Sequence, residues 1–162
     1  MWVIRTTTHV SVLDVRVEIG RAVSTRTPKA MIERHTIEGL TTYGAYSQAV
    51  KVDLGQRWMI LLSGQLPLDP NGEPVAPGDV GAQAQYLFPQ IERLLEAAGA
   101  SMDDVVKAQI FVTDMTQFAG FTEVRDRYFG TSRPISTLVE VTRLVTEGCD
   151  IEIEVMAIVD KV

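Results

Sequence analysis

The chain has 162 residues, 46% of them apolar and 22% charged, with a net charge of −6. That suits one domain with a real core; no apolar run reaches the roughly 18 residues of a membrane span, and the acidic balance speaks against a nucleic-acid-binding face. The lone cysteine, Cys149, has no internal partner and points to a reducing, cytoplasmic setting, while His9 and His35, far apart and without a cysteine cluster, offer no zinc spacing.

Charge divides the chain. Residues 1–30 hold five basic and two acidic side chains, a net of +3, which leaves −9 on residues 31–162. With Pro28 and a second methionine at Met31, that shift marks a boundary between an N-terminal extension (1–30) and the domain (31–162). The extension lacks the continuous apolar stretch of a secretory signal. Its partial alternation, Val10, Val12, Val15, Val17 and Ile19, leaves three readings open: an added strand or tail, translation from an upstream start, or a transit peptide. Asp14 and Glu18 count against the last.

From Met31 onward the apolar period changes regularly. Residues 46–52 alternate, Asp53-Leu54-Gly55-Gln56 makes a turn, and Trp58–Ser63 is a short apolar run, together a strand hairpin. A loop rich in Pro67, Pro70, Asn71 and Gly72 follows. Val80, Ala84, Leu87, Phe88, Ile91, Leu94, Leu95 and Ala98 then recur at helical spacing, with Gly99 as the stop and Pro89 expected to kink the helix. Ser101 and Asp104 have the spacing of a capping box.

Val105–Thr113, rich in β-branched and aromatic residues, predicts a central strand. Asp114 caps a second helix whose Phe118, Phe121, Val124 and Tyr128 share a face, ending at Gly130. Ser136–Val141 and Ile151–Val159 are the last strands. The order β-β-α-β-α-β-β predicts a two-layer α+β domain, a mixed sheet with both helices on one face.

No P-loop, dinucleotide fingerprint, nucleophile elbow or H-E-x-x-H motif is present. Cys149 reads as an inert residue beside a strand. What remains is a set of polar groups at strand ends, Tyr46, Ser63, Ser136 and Glu152, which taken singly are ordinary sheet residues.

In combination, Gly44-Ala45-Tyr46-Ser47-Gln48-Ala49-Val50, Ser63-Gly64-Gln65-Leu66-Pro67-Leu68-Asp69-Pro70, Glu96-Ala97-Ala98-Gly99-Ala100, Phe111-Val112-Thr113-Asp114-Met115 and Ile151-Glu152-Ile153-Glu154 resemble the Rid family, the RidA/YjgF-type reactive intermediate deaminases. The resemblance covers roughly residues 32–160. It implies a chorismate-mutase-like fold and a homotrimer with small-metabolite pockets between subunits. It also implies hydrolysis of 2-imino and enamine acids with no metal or organic cofactor. Carried over by residue, Tyr46 matches a pocket tyrosine, Ser63-Gly64 a ligand-binding strand end, Phe118 an aromatic wall and Glu152 the carboxylate that positions water. For Glu152 a solvated place on an alternating strand stays open, for Phe118 a place in the core, and for Tyr46 either role.

One departure stands out. The family pattern P-x-R-S becomes Pro134-Ile135-Ser136-Thr137, so the carboxylate-gripping arginine is Ser136; Leu138 stands where some members have a cysteine. Val139-Glu140-Val141 and Arg143-Leu144 keep the register. An arginine gives two charge-assisted hydrogen bonds, roughly 1.5–3 kcal/mol each, where serine gives one neutral donor. Arg133 lies about 10 Å from Ser136 in extended chain and reaches back only if Pro134 turns the backbone; Arg143, about 23 Å away, contributes only across an interface. Three functions are weighed: an altered deaminase, a non-catalytic metabolite-binding or chaperone-like trimer, and a ribonuclease, the last disfavoured by the charge of −9.

Overall fold

A computed structural model describes residues 31–36 and 44–161. The extension and its expected strand therefore lie outside the described residues. Six strands form one mixed sheet in the order β1-β2-β3-β6-β4-β5. They are β1 (Ile32–His35), β2 (Ala49–Asp53), β3 (Arg57–Leu62), β4 (Val105–Val112), β5 (Ile135–Glu140) and β6 (Ile151–Asp160), and the helices are α1 (Val80–Ala98) and α2 (Phe118–Phe129). All pairings are antiparallel except β4 with β5. This is the α+β, chorismate-mutase-like architecture, with both helices packed on one side of the sheet.

Strand β1 is an addition to the expected order. Its four residues, Ile-Glu-Arg-His, are too short and too charged to carry a strand signature, and pairing with β2 supplies the order that the side chains do not. The second helix begins later than expected: Asp114 caps a 3-10 turn (Met115–Gln117), accepting from Thr116 N, and α2 follows at Phe118. By contrast α1 has the expected ends. Asp79 accepts from Ala82 N, and Gly99 takes the left-handed conformation (φ 84°) that closes the helix. Pro89 sits on the exposed side and the helix runs through it.

The core lies between the helices and the sheet. Leu87, Phe88, Ile91, Leu94 and Leu95 of α1 are fully buried against Ile60, Ala108, Ile110, Ile151, Ile153 and Ala157. Phe88 stacks on Tyr128 (4.7 Å) and meets Phe129 edge-on (5.3 Å), fixing α2 over α1. Truncating such a ring to alanine costs about 3–5 kcal/mol.

Strand alternation decides which side chains share a face. Ile151, Ile153 and Val155 enter the core, so Glu152 and Glu154 face the opposite, helix-free side. Glu152 pairs with Phe111 on that side. Across the parallel pair, Ser136 aligns with buried Ala108 and Leu138 with buried Ile110, so Ser136 faces the helices. Leading into β6, Asp150 ties the loops together. It accepts from Gly78 N (2.6 Å) and Thr113 Oγ1 (2.9 Å), while its own N–H donates to the buried Gln83 Oε1 (2.7 Å).

Candidate functional site

Just past the end of β3 the chain stays beside β6. Gln65 N donates to Ile153 O (2.9 Å) and Ile153 N returns a bond to Gln65 O (3.1 Å). This bridge lays Gly64 directly against the Glu152 side chain: a Cβ at position 64 would stand 1.8 Å from Glu152 Oε1. Only glycine lets the carboxylate occupy that place. Burial, and next the negative charge of Glu154, hold the Glu152 carboxyl above its ordinary pKa. A carboxyl shifted this way takes up and releases protons closer to neutrality than a solvated one.

Ser63 is fixed on both sides. Its N–H (2.9 Å) and, over a longer 3.3 Å, its hydroxyl donate to Gln48 O. The Gln65 side-chain amide donates to Ser63 O (2.9 Å) and to Ser63 Oγ (3.1 Å). The hydroxyl oxygen is thereby oriented, with its proton in the weaker of these bonds and available to a ligand. Tyr46, 46% exposed, lies two residues before Gln48 at the same end of the sheet. One corner thus gathers Ser63, Gly64 and Glu152, with Tyr46 close by in the chain.

Ser136 and Phe118 lie elsewhere. Ser136 is three residues along the strands from the Glu152–Phe111–Val139 row and two strands across, roughly 14 Å at strand spacings, and its side chain faces the other way. It lines a recess of about 480 Å³ together with Arg125, Asp126, Phe129, Arg133 and Pro134. Phe118 opens α2, 46% exposed, so it is not a core residue, and it lies about 10 Å along α2 from Arg125, where the lining of the Ser136 recess begins. Within a single chain, therefore, the six sequence-derived positions do not converge on one pocket.

Gln65 escaped the sequence reading although it orients Ser63; its signal was a glutamine directly after a strand-ending Ser-Gly. Cys149 is buried, and burial with the charges of Asp150 and Glu152 pushes its thiol up to about 11, which keeps it inert. Arg143 sits on the loop between β5 and β6, in a second recess with Thr142, Glu147 and Asp150. Among the described residues no group of three His, Cys, Asp or Glu side chains is placed to hold a metal ion, and no helix is long and apolar enough to cross a membrane.

Residues 36–159 match the family model described as Endoribonuclease L-PSP. A RutC family protein of Pyrococcus abyssi is 41% identical over 118 residues, 73% of this chain and 87% of the relative. The 2-iminobutanoate/2-iminopropanoate deaminase of Mus musculus is 34% identical over 123 residues, 76% of this chain and 87% of that protein. Among solved structures, yeast Mmf1 superposes with a TM-score of 0.70 at 31% identity, covering 80% of this chain and 99% of the other. The YjgF gene product of E. coli does so with 0.65 at 36%, covering 77% and 97%. The chain belongs to the endoribonuclease L-PSP family, the Rid/YjgF-type proteins.

Proposed function

We propose that the protein hydrolyses a small reactive imine or enamine, releasing ammonia, with a substrate preference altered by Ser136. The observation that carries this reading is the half-buried Glu152 carboxylate laid against Gly64, its pKa raised, in a chain 34% identical to a protein named 2-iminobutanoate/2-iminopropanoate deaminase. In the proposed step the oxygen of a water molecule bonds to the imine carbon while the C=N π pair moves to nitrogen. Glu152 accepts the water proton and passes it to that nitrogen. The resulting carbinolamine breaks its C–N bond, the nitrogen leaves as ammonia with the hydroxyl proton, and a carbonyl remains. Ser63 and Tyr46 bind the ligand beside Glu152, and no cofactor enters the step.

The Ser136 recess joins the site only when copies assemble. A homotrimer in which the β5 edge of one copy lies against the helix-free face of the next completes it at the interface. Supporting this, Ile135 (71% exposed) and Val139 align with Lys107 and Phe111 on the helix-free side of β5, leaving apolar surface to be covered. The same separation of Ser136 from Glu152 favours the second reading, a trimer that binds a metabolite without transforming it. Ribonuclease action, the activity in the family's name, fits poorly with −9 on residues 31–162.

The experiment is ammonia release from 2-iminobutanoate, generated from threonine by a dehydratase. Glu152→Gln lowers turnover at least a hundredfold without loss of fold, and Ser136→Arg raises turnover of this small 2-imino acid about tenfold or more. Wild-type turnover unaffected by Glu152→Gln excludes the mechanism. No turnover by either the wild type or Ser136→Arg, with tight ligand binding, selects the non-catalytic reading.

A further inference from the structure

The geometry points to Arg133 as the residue that grips a carboxylate in this chain, with Ser136 as its hydroxyl partner in the recess between the end of α2 and the start of β5. Arg133 is one of two non-glycine residues among those described that adopt a positive φ (44°). Its N–H donates back to Phe129 O (2.9 Å), so the chain turns sharply between α2 and Pro134. An extended path would hold Arg133 and Ser136 about 10 Å apart; the turn puts both on the wall of one cavity of about 480 Å³. A left-handed backbone conformation of this kind costs about 1 kcal/mol or more in a non-glycine residue and persists where the surroundings enforce it. Beside it, the Ser132 hydroxyl is shielded and has no hydrogen-bond partner among the described residues.

The two guanidinium groups of the recess are not equivalent. Arg125 donates through Nε (2.9 Å) and Nη2 (2.7 Å) to Asp126 Oδ1, so its charge is already balanced and its donors occupied. The Arg133 side chain has no hydrogen-bond or ion-pair partner among the described residues. It is the free cation of a recess whose lining also includes Ser136 and the apolar Phe129 and Pro134. That combination suits a monoanion with an apolar body. A phosphate dianion fits worse, because Asp126 and the carbonyl end of α2 both repel additional negative charge.

The inference deepens the proposed function, and rests on it only for the choice of probe. The test is calorimetric binding of 2-oxobutanoate, and of its neutral amide, to the full-length protein. Arg133→Asn keeps a residue that tolerates the left-handed backbone, Arg133→Lys keeps the charge, and melting temperature checks folding. The acid binds the wild type, the amide at least tenfold more weakly; Arg133→Asn weakens the acid at least tenfold and Arg133→Lys less. Equal binding of the acid to wild type and Arg133→Asn overturns the assignment, as does absence of binding to the wild type. Because binding is read without turnover, a protein that grips the acid through Arg133 yet releases no ammonia refutes the deaminase reading alone.

Discussion

The Glu152 corner and the Arg133 recess are built on opposite plans. The corner is fixed by backbone: a two-bond bridge from Gln65 to Ile153, a glycine under the carboxylate, and a serine bonded from both sides. It is half-buried, and Glu154 adds a second negative charge. The recess is fixed by a turn instead, lies on the other face, and carries positive charge on an exposed side chain. A group that moves protons must be held rigidly, whereas a group that attracts an ion works from a flexible stem. With Arg133 as the proposed anchor, the division would let that anchor shift by three residues without disturbing the Glu152 corner.

The strongest way to break this comparison is Gly64→Ala. The new methyl group would overlap Glu152 Oε1, and the flexible carboxylate must move aside. Turnover should fall about a hundredfold, the scale of a misplaced catalytic group, with a nearly unchanged melting temperature. Full turnover by the variant would show that the carboxylate need not lie against position 64. Gln65→Leu is expected to be milder. It leaves Ser63 O without its side-chain donor, so urea unfolding should show about 1–2 kcal/mol of lost stability.

The smallest effect concerns stability and pH. Glu152 has a folded pKa above its ordinary value near 4.5. The native chain therefore keeps this proton longer than the unfolded chain, and stability falls as pH rises from about that value through the raised pKa. Glu152→Gln lacks this loss. Its melting temperature should exceed that of the wild type at neutral pH by a few degrees at most, and the advantage should shrink as pH drops through the same interval. An advantage that persists at pH 3 would assign the effect to packing.

Much of the fold was legible because its signals are local. Helical spacing from Val80 to Ala98, the Gly99 stop and the alternation of β6 each depend on neighbours in sequence. β1 was not, since its order comes from β2. For the site, the closeness of Gly64 to Glu152 comes from the Gln65–Ile153 bridge between distant parts of the chain. Separation of Ser136 from them could not be read, because alternation gives a face only when one side of the strand is buried. In β5 Leu138 alone is even partly buried and packed on the core, so the face depends on the register with β4. That Arg133 and Ser136 line one recess depended likewise on the turn at Arg133.

Strand β5 has a further consequence. Among the described residues nothing pairs with its outer side, and from Ile135 to Val139 it carries neither a charge nor a proline to discourage strand addition. A chain whose β5 edge is left uncovered would thus expose an adhesive border on which like chains could stack, and concentrating such a chain should favour aggregates over well-behaved monomers.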